Sequence, residues 1–192
     1  MDLVDRVKNI LAGPKEEWPK IAAEPATAQS LYVGYIMILA AIGPIAMVIR
    51  GLVFGSVLSL PFAIGTYLLT LVAVSIIALI VDLLAPSFGG QRDFVASLKL
   101  VAYAYTAVWV AGVFHLIPAL GGIVGLLAGL YSIYTFYLGA PSVKKCPADK
   151  AVGYTIIVLI CNIVLFWLLG LMVLPMVLGG GIGGLGTMGM MR

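Results

Sequence analysis

Between Arg50 and Asp82 the chain carries no charged residue. An apolar run of that length suits the inside of a bilayer, which about 20 helical residues at a rise of 1.5 Å cross. It exceeds one crossing by about ten residues. A loop or re-entrant turn is therefore expected over residues 51–59, with Ser59 as N-cap and Leu60-Pro61 opening the crossing at 60–81. Comparable runs occupy 29–49, 98–116, 120–139 and 151–178, making five crossings in all. Within lipid the backbone must satisfy its own polar groups, so the expected fold class is all-α: a polytopic helical bundle. Hydrophobic residues make up 62% of the 192 and charged residues 10%, against about 45–50% and 25% in soluble domains. Such a chain leaves no room for a separate catalytic domain, and its net charge of +3 gives no reason to expect nucleic acid as a partner.

The most patterned stretch is Lys99 to Gly139, two crossings folded back through a turn over residues 115–122. Gly121, Gly125 and Gly129 recur at four-residue spacing, which predicts a glycine groove packed against a neighbouring backbone. Ahead of the crossings, residues 2–12 place Leu3, Val4, Val7, Ile10 and Leu11 on one helical face, with Asp2, Asp5, Arg6, Lys8 and Asn9 opposite. That pattern predicts an amphipathic helix lying at the membrane interface within an N-terminal segment 1–28. Gly13-Pro14 ends it, and a second short element begins in which Trp18 suits the headgroup layer. No cleavable signal peptide is expected there. Pro44 in the first crossing predicts a kink and a freed carbonyl. Residues 179–192 form a Gly- and Met-rich tail.

Five crossings gather Arg6, Lys8, Lys15, Lys20, Arg92, Lys99, Lys144, Lys145 and Lys150 on one side and leave Arg50 and Arg192 on the other. The positive-inside rule then puts the N-terminus in the cytoplasm and the C-terminus outside.

Ionisable groups within or beside a crossing are functional candidates, because burying them unpaired is costly. Asp82 closes the second crossing and Lys99 opens the third, so a salt bridge between them is expected; the alternative is a cation or proton site at Asp82 with Tyr103 and Thr106. His115, alone at the far turn, reads as a polar anchor, since there is no second His to complete a metal site. Asn162, deep in the fifth crossing, should bond across helices to a tyrosine or to the carbonyl freed by Pro44. Tyr131, Tyr134 and Tyr137 fit an aromatic belt. Residues 181–186 match G-x-G-x-x-G, but they follow a membrane helix and no acidic residue comes after them, so no dinucleotide is expected. Met188, Met190 and Met191 lack the Cys or His beside them that a copper site would want. No catalytic set, metal site or cofactor is expected, and Cys146 and Cys161 should lie too far apart in depth to pair.

The segment Pro14 to Ile21, the Gly89-Gly90 loop, Tyr103 with Tyr105, the turn Leu116 to Gly121, and Tyr131 to Gly139 together resemble the YIP (Ypt-interacting protein) family. The likeness runs from Lys15 to about Leu178, and the chain looks like a small prokaryotic member. It implies five crossings with a cytoplasmic N-terminus and, for a prokaryotic member, the inner membrane. Eukaryotic relatives bind prenylated Rab-type GTPases, but only about 28 residues precede the first crossing here. Fold and topology are carried over and a GTPase partner is not. The expected function is a non-enzymatic scaffold or adaptor in membrane organisation or trafficking-like processes, with the bilayer, other membrane proteins or a second copy of itself, as a homo-oligomer, as partners. The alternative is a small transporter or channel using Asp82, Lys99, Tyr103 and Asn162.

Overall fold

The computed structural model describes residues 2–55 and 59–188, all of whose regular elements are helical. Two short helices, α1 (Leu3–Ala12) and α2 (Pro14–Ala23), precede five helices long and apolar enough to cross a membrane. These are α3 (Ala28–Val53), α4 (Leu60–Phe88), α5 (Phe94–Leu116), α6 (Ala119–Lys144) and α7 (Ala148–Leu171), the last of which continues as helix to Met188. Met190 and Met191 of the tail lie outside the described residues.

Local chemistry sets the boundaries. Asp2 caps α1 by accepting from Leu3 N–H, Gly13 ends it, and Pro14 opens α2 at a position whose missing N–H costs nothing. Thr27 and Ser30 form a capping box at the head of α3. That helix loosens into a π turn over Tyr32–Ile36 and breaks at Ala41, three residues before Pro44. The predicted kink is therefore a break just ahead of the proline, whose ring cannot follow a continuous turn. Asp93 caps α5 by accepting from Ala96 N–H at 3.0 Å. The turn into α6 is tighter than residues 115–122: only Ile117 is extended, and Pro118 already begins the next helix.

The central helix is α5. Just over half of its apolar window, 56%, is buried, against 17% to 39% in the other four. The first, second and fourth crossings pack on it, the fifth packs on α4 and α6, and all four turn isoleucines and leucines such as Ile45, Leu68, Leu126, Leu130, Ile160 and Ile163 outward. That much exposed apolar surface is satisfied by lipid, not water.

The short N-terminal helices belong to the same core. Ile10, Trp18 and Ile21 are buried in one cluster with Tyr35, Val81, Leu98, Val101, Phe136 and Tyr154. Trp18 thus packs against protein rather than presenting its ring at the surface. Its ring sits over Gly139 of α6, where a Cβ would come within 2.5 Å of the indole, and its N–H donates to the Thr135 carbonyl at 2.9 Å. Arg6, placed by its spacing on the solvent face of α1, is also buried.

The glycine groove needs correction. Gly121 does approach a backbone, the Phe114 carbonyl, but a Cβ on Gly125 or Gly129 would meet nothing within 4 Å. Close helix approach occurs instead at Gly43 and Gly112, where a Cβ on Gly112 would lie 2.8 Å from the Gly43 Cα. Small residues permit close packing only where a partner backbone comes to meet them.

Candidate functional site

Two buried polar clusters lie at the end of the bundle that carries α1 and α2. Neither contains the expected bridge between Asp82 and Lys99. In the first, Lys144, fully buried at the end of α6, places its ammonium 2.9 Å from Asp82 Oδ1. It also donates to the Ser97 hydroxyl at 2.7 Å and the Asp93 carbonyl at 2.9 Å, so all three N–H donors are used. Asp82 Oδ1 accepts further from Ser97 Oγ at 3.1 Å and Asp93 N–H at 2.7 Å, while Arg92 lies 3.9 Å from Oδ2. A charge taken out of water this completely is tolerated only when paired and hydrogen-bonded.

Two loops complete that cluster. Gly89 turns the chain with φ near 75°. Gly90 then donates to the Ala85 carbonyl, and Gln91 N–H donates to the Lys144 carbonyl at 2.9 Å. A Cβ on Gly90 would press on both carbonyls, at 3.1 and 3.2 Å. Beside it, the Cys146 thiol donates to the Phe88 carbonyl. Burial pushes the Cys146 thiol up from its ordinary pKa, the Asp149 charge adds to this, and Lys150 opposes it. Cys146 and Cys161 are both free thiols.

The second cluster joins α1, α2 and α5. Arg6 pairs with Glu17 at 2.6 Å and with Glu24, and stacks over the Tyr103 ring at 5.7 Å. Lys99 reaches back toward the head of α5 and donates to the carbonyls of Ile21 at 3.0 Å and Glu24 at 2.6 Å. A cation thus sits on the C-terminal end of α2, where the helix dipole favours it. Tyr103 packs on Tyr35 and Trp18, and the Tyr35 hydroxyl shares a 2.6 Å hydrogen bond with Thr106. A polar cavity of about 190 Å³ lies among Arg6, Glu24, Ser30, Gly34, Lys99 and Tyr103.

Of the residues singled out by sequence, Lys99 and Tyr103 meet here, Asp82 belongs to the neighbouring cluster, and two stand apart. Asn162 donates to the Tyr105 hydroxyl, so its expected partner is a tyrosine; both line, with Ser132 and Thr155, a largely apolar cavity of about 420 Å³ that Gly125 and Gly129 leave open. His115, at the opposite end, bonds the Gly112 carbonyl through Nδ1, and its own carbonyl accepts from Arg50 at 3.3 Å. Tyr131 is no free belt residue: its hydroxyl donates to the Leu11 carbonyl at 2.8 Å and pins the end of α1. Spacing gave no signal for Arg6, Glu17, Glu24 or Lys144, since each reads as a solvated charge. Among the described residues no group of three His, Cys, Asp or Glu side chains could hold a metal ion.

The family model for the Yip1 domain matches residues 8–188, from α1 through all five crossings. The chain belongs to the Yip1 domain family. It is a multi-pass membrane protein whose outward apolar surface contacts the bilayer. No curated protein and no solved structure matches the chain. The Yip1 match spans Trp18 and Tyr131, which hold α2 and α1 to the bundle, and the Gly89-Gly90 turn.

Proposed function

We propose that this Yip1 family protein is a non-enzymatic scaffold or adaptor in the membrane, recruiting other membrane proteins or assembling with itself, with its N-terminus in the cytoplasm and its C-terminus outside. The observation that carries this reading is how the buried charges are used. Lys144 spends every donor on Asp82, Asp93 and Ser97, and Arg6 is held by two carboxylates, so one end of the bundle is tied shut. Groups committed in this way hold a shape; a catalytic acid or base needs a proton free to move. Crosslinking in native membranes through an N-terminal tag, followed by mass spectrometry, tests it. Specific protein neighbours or a defined homo-oligomer support the reading, and recovery of the monomer alone rejects it.

A transporter or channel is the second reading, favoured by the Asn162–Tyr105 pair beside the larger cavity. Ion or solute flux in proteoliposomes that is abolished by Asn162→Leu would establish it.

A further inference from the structure

The cavity between α1, α3 and α5 has the chemistry of a lipid headgroup site. We propose that it binds a glycerophospholipid with a primary-amine headgroup, of the phosphatidylethanolamine type, with the phosphate on Lys99, the ammonium at Glu24 and an acyl chain along α3.

Charge is the first argument. Lys99 is 7% exposed, uses two of its three donors on carbonyls, and has no carboxylate within ion-pair distance among the described residues. The remaining N–H, on a cation that two carbonyls hold and no carboxylate touches, can take an anion. Tyr103, on the same wall, has no partner for its hydroxyl among the described residues. Glu24 stands at the mouth with its side chain 48% exposed, and a carboxylate bound to Arg6 still has lone pairs to offer. A plain anion would meet that carboxylate unfavourably. A zwitterion, phosphate inward and ammonium outward, satisfies both walls.

Depth and shape are the second. Gly34 lies six residues into α3 and Lys99 five residues into α5, and both helices start from the same end of the bundle. At 1.5 Å per residue that is about 8 to 9 Å inside the helix ends, the level at which headgroups give way to chains. The cavity's 190 Å³ is below the size of a pocket for a whole drug-sized ligand, about 300 Å³ or more, and suits a headgroup whose tail lies outside. Gly34 leaves that side open, since a Cβ there would meet nothing within 4 Å. Ile38, about one turn beyond Gly34, and Ile45, past the break at Ala41, are exposed, giving a chain apolar surface along α3 away from the cavity.

Native mass spectrometry of the full chain tests the site, using delipidated protein titrated with phosphatidylethanolamine, phosphatidylglycerol and water-soluble glycerophosphoethanolamine. One tightly held phosphatidylethanolamine is expected, bound about tenfold more tightly than phosphatidylglycerol. Gly34→Leu fills the opening from a position that touches no other part of the protein, so it should abolish that adduct with an unchanged melting curve. Glu24→Gln should keep lipid binding and erase the headgroup preference. Equal binding of the two lipids by the unaltered protein, an adduct that survives Gly34→Leu, or equal affinity for the chainless compound would each overturn the proposal.

Discussion

Lys144 shows how much a single side chain can carry. Asp82→Ala should leave its ammonium buried without a carboxylate and cost about 3–5 kcal/mol, read as a lowered melting point in detergent. Asp82→Leu combined with Lys144→Leu should recover most of that loss, because two apolar groups need no partner. Asp82→Leu with Lys99→Leu should not, since Lys99 serves α2. The sequence marked Asp82 as costly to bury but pointed to the nearer lysine, and Lys144 was hidden in a basic loop that reads as a topology signal. Glycine makes a second contrast. Gly139→Ala should destabilise by about 1–3 kcal/mol, since Trp18 and Leu100 leave no room for a Cβ. Gly125→Ala should be neutral or stabilise by up to about 1 kcal/mol through helix propensity. Spacing drew the eye to Gly125, whereas only the seat of Trp18 reveals Gly139. Cys146, its thiolate disfavoured by burial, should react with maleimide at neutral pH at least about tenfold more slowly than a cysteine at exposed Lys8 (Lys8→Cys), as followed by mass shift.

At the scale of elements, α1 and α2 are held by hydrogen bonds and packing together. Trp18→Ala removes a buried aromatic ring and should cost about 3–5 kcal/mol. The loss should appear first as release of α1 and α2, seen as faster tryptic cleavage at Lys8 and Lys15 while the crossings stay intact. Trp18→Phe loses the bond to Thr135 and the part of the indole seated on Gly139 but keeps an aromatic ring, and should cost less, about 1–3 kcal/mol. Both helices were legible from their apolar faces and from Gly13-Pro14. Their docking was not, because an apolar stripe suits a lipid surface and a protein surface equally. What decides between them is the Arg6–Glu17 pair and the hold of Lys99 on the last carbonyls of α2, contacts that exist only in three dimensions. The break in α3 was readable from Pro44 to within a few residues.

For the whole molecule, the fold class followed from runs without charge, and physics leaves little choice there: lipid accepts a closed helix and rejects loose backbone. Which helix takes the centre was not readable, since α5 is no more apolar than the helices around it. Its place follows from Ser97, Lys99, Tyr103 and Thr106, polar groups that must face protein. Reporter fusions after Lys20 and Lys145 should score on the cytoplasmic side and a fusion after Arg192 on the outer side; any other pattern would overturn the orientation. The docking of α1 and α2 also has a clock in it. Trp18 bonds a carbonyl 117 positions later in the chain. At about 5–20 residues per second of synthesis, that acceptor emerges about 6 to 23 s after the indole does. The helices made first therefore wait for α6 before they can be seated, and throughout that wait Arg6 and Glu17 have only each other, Lys20, Glu24 and the membrane surface for company.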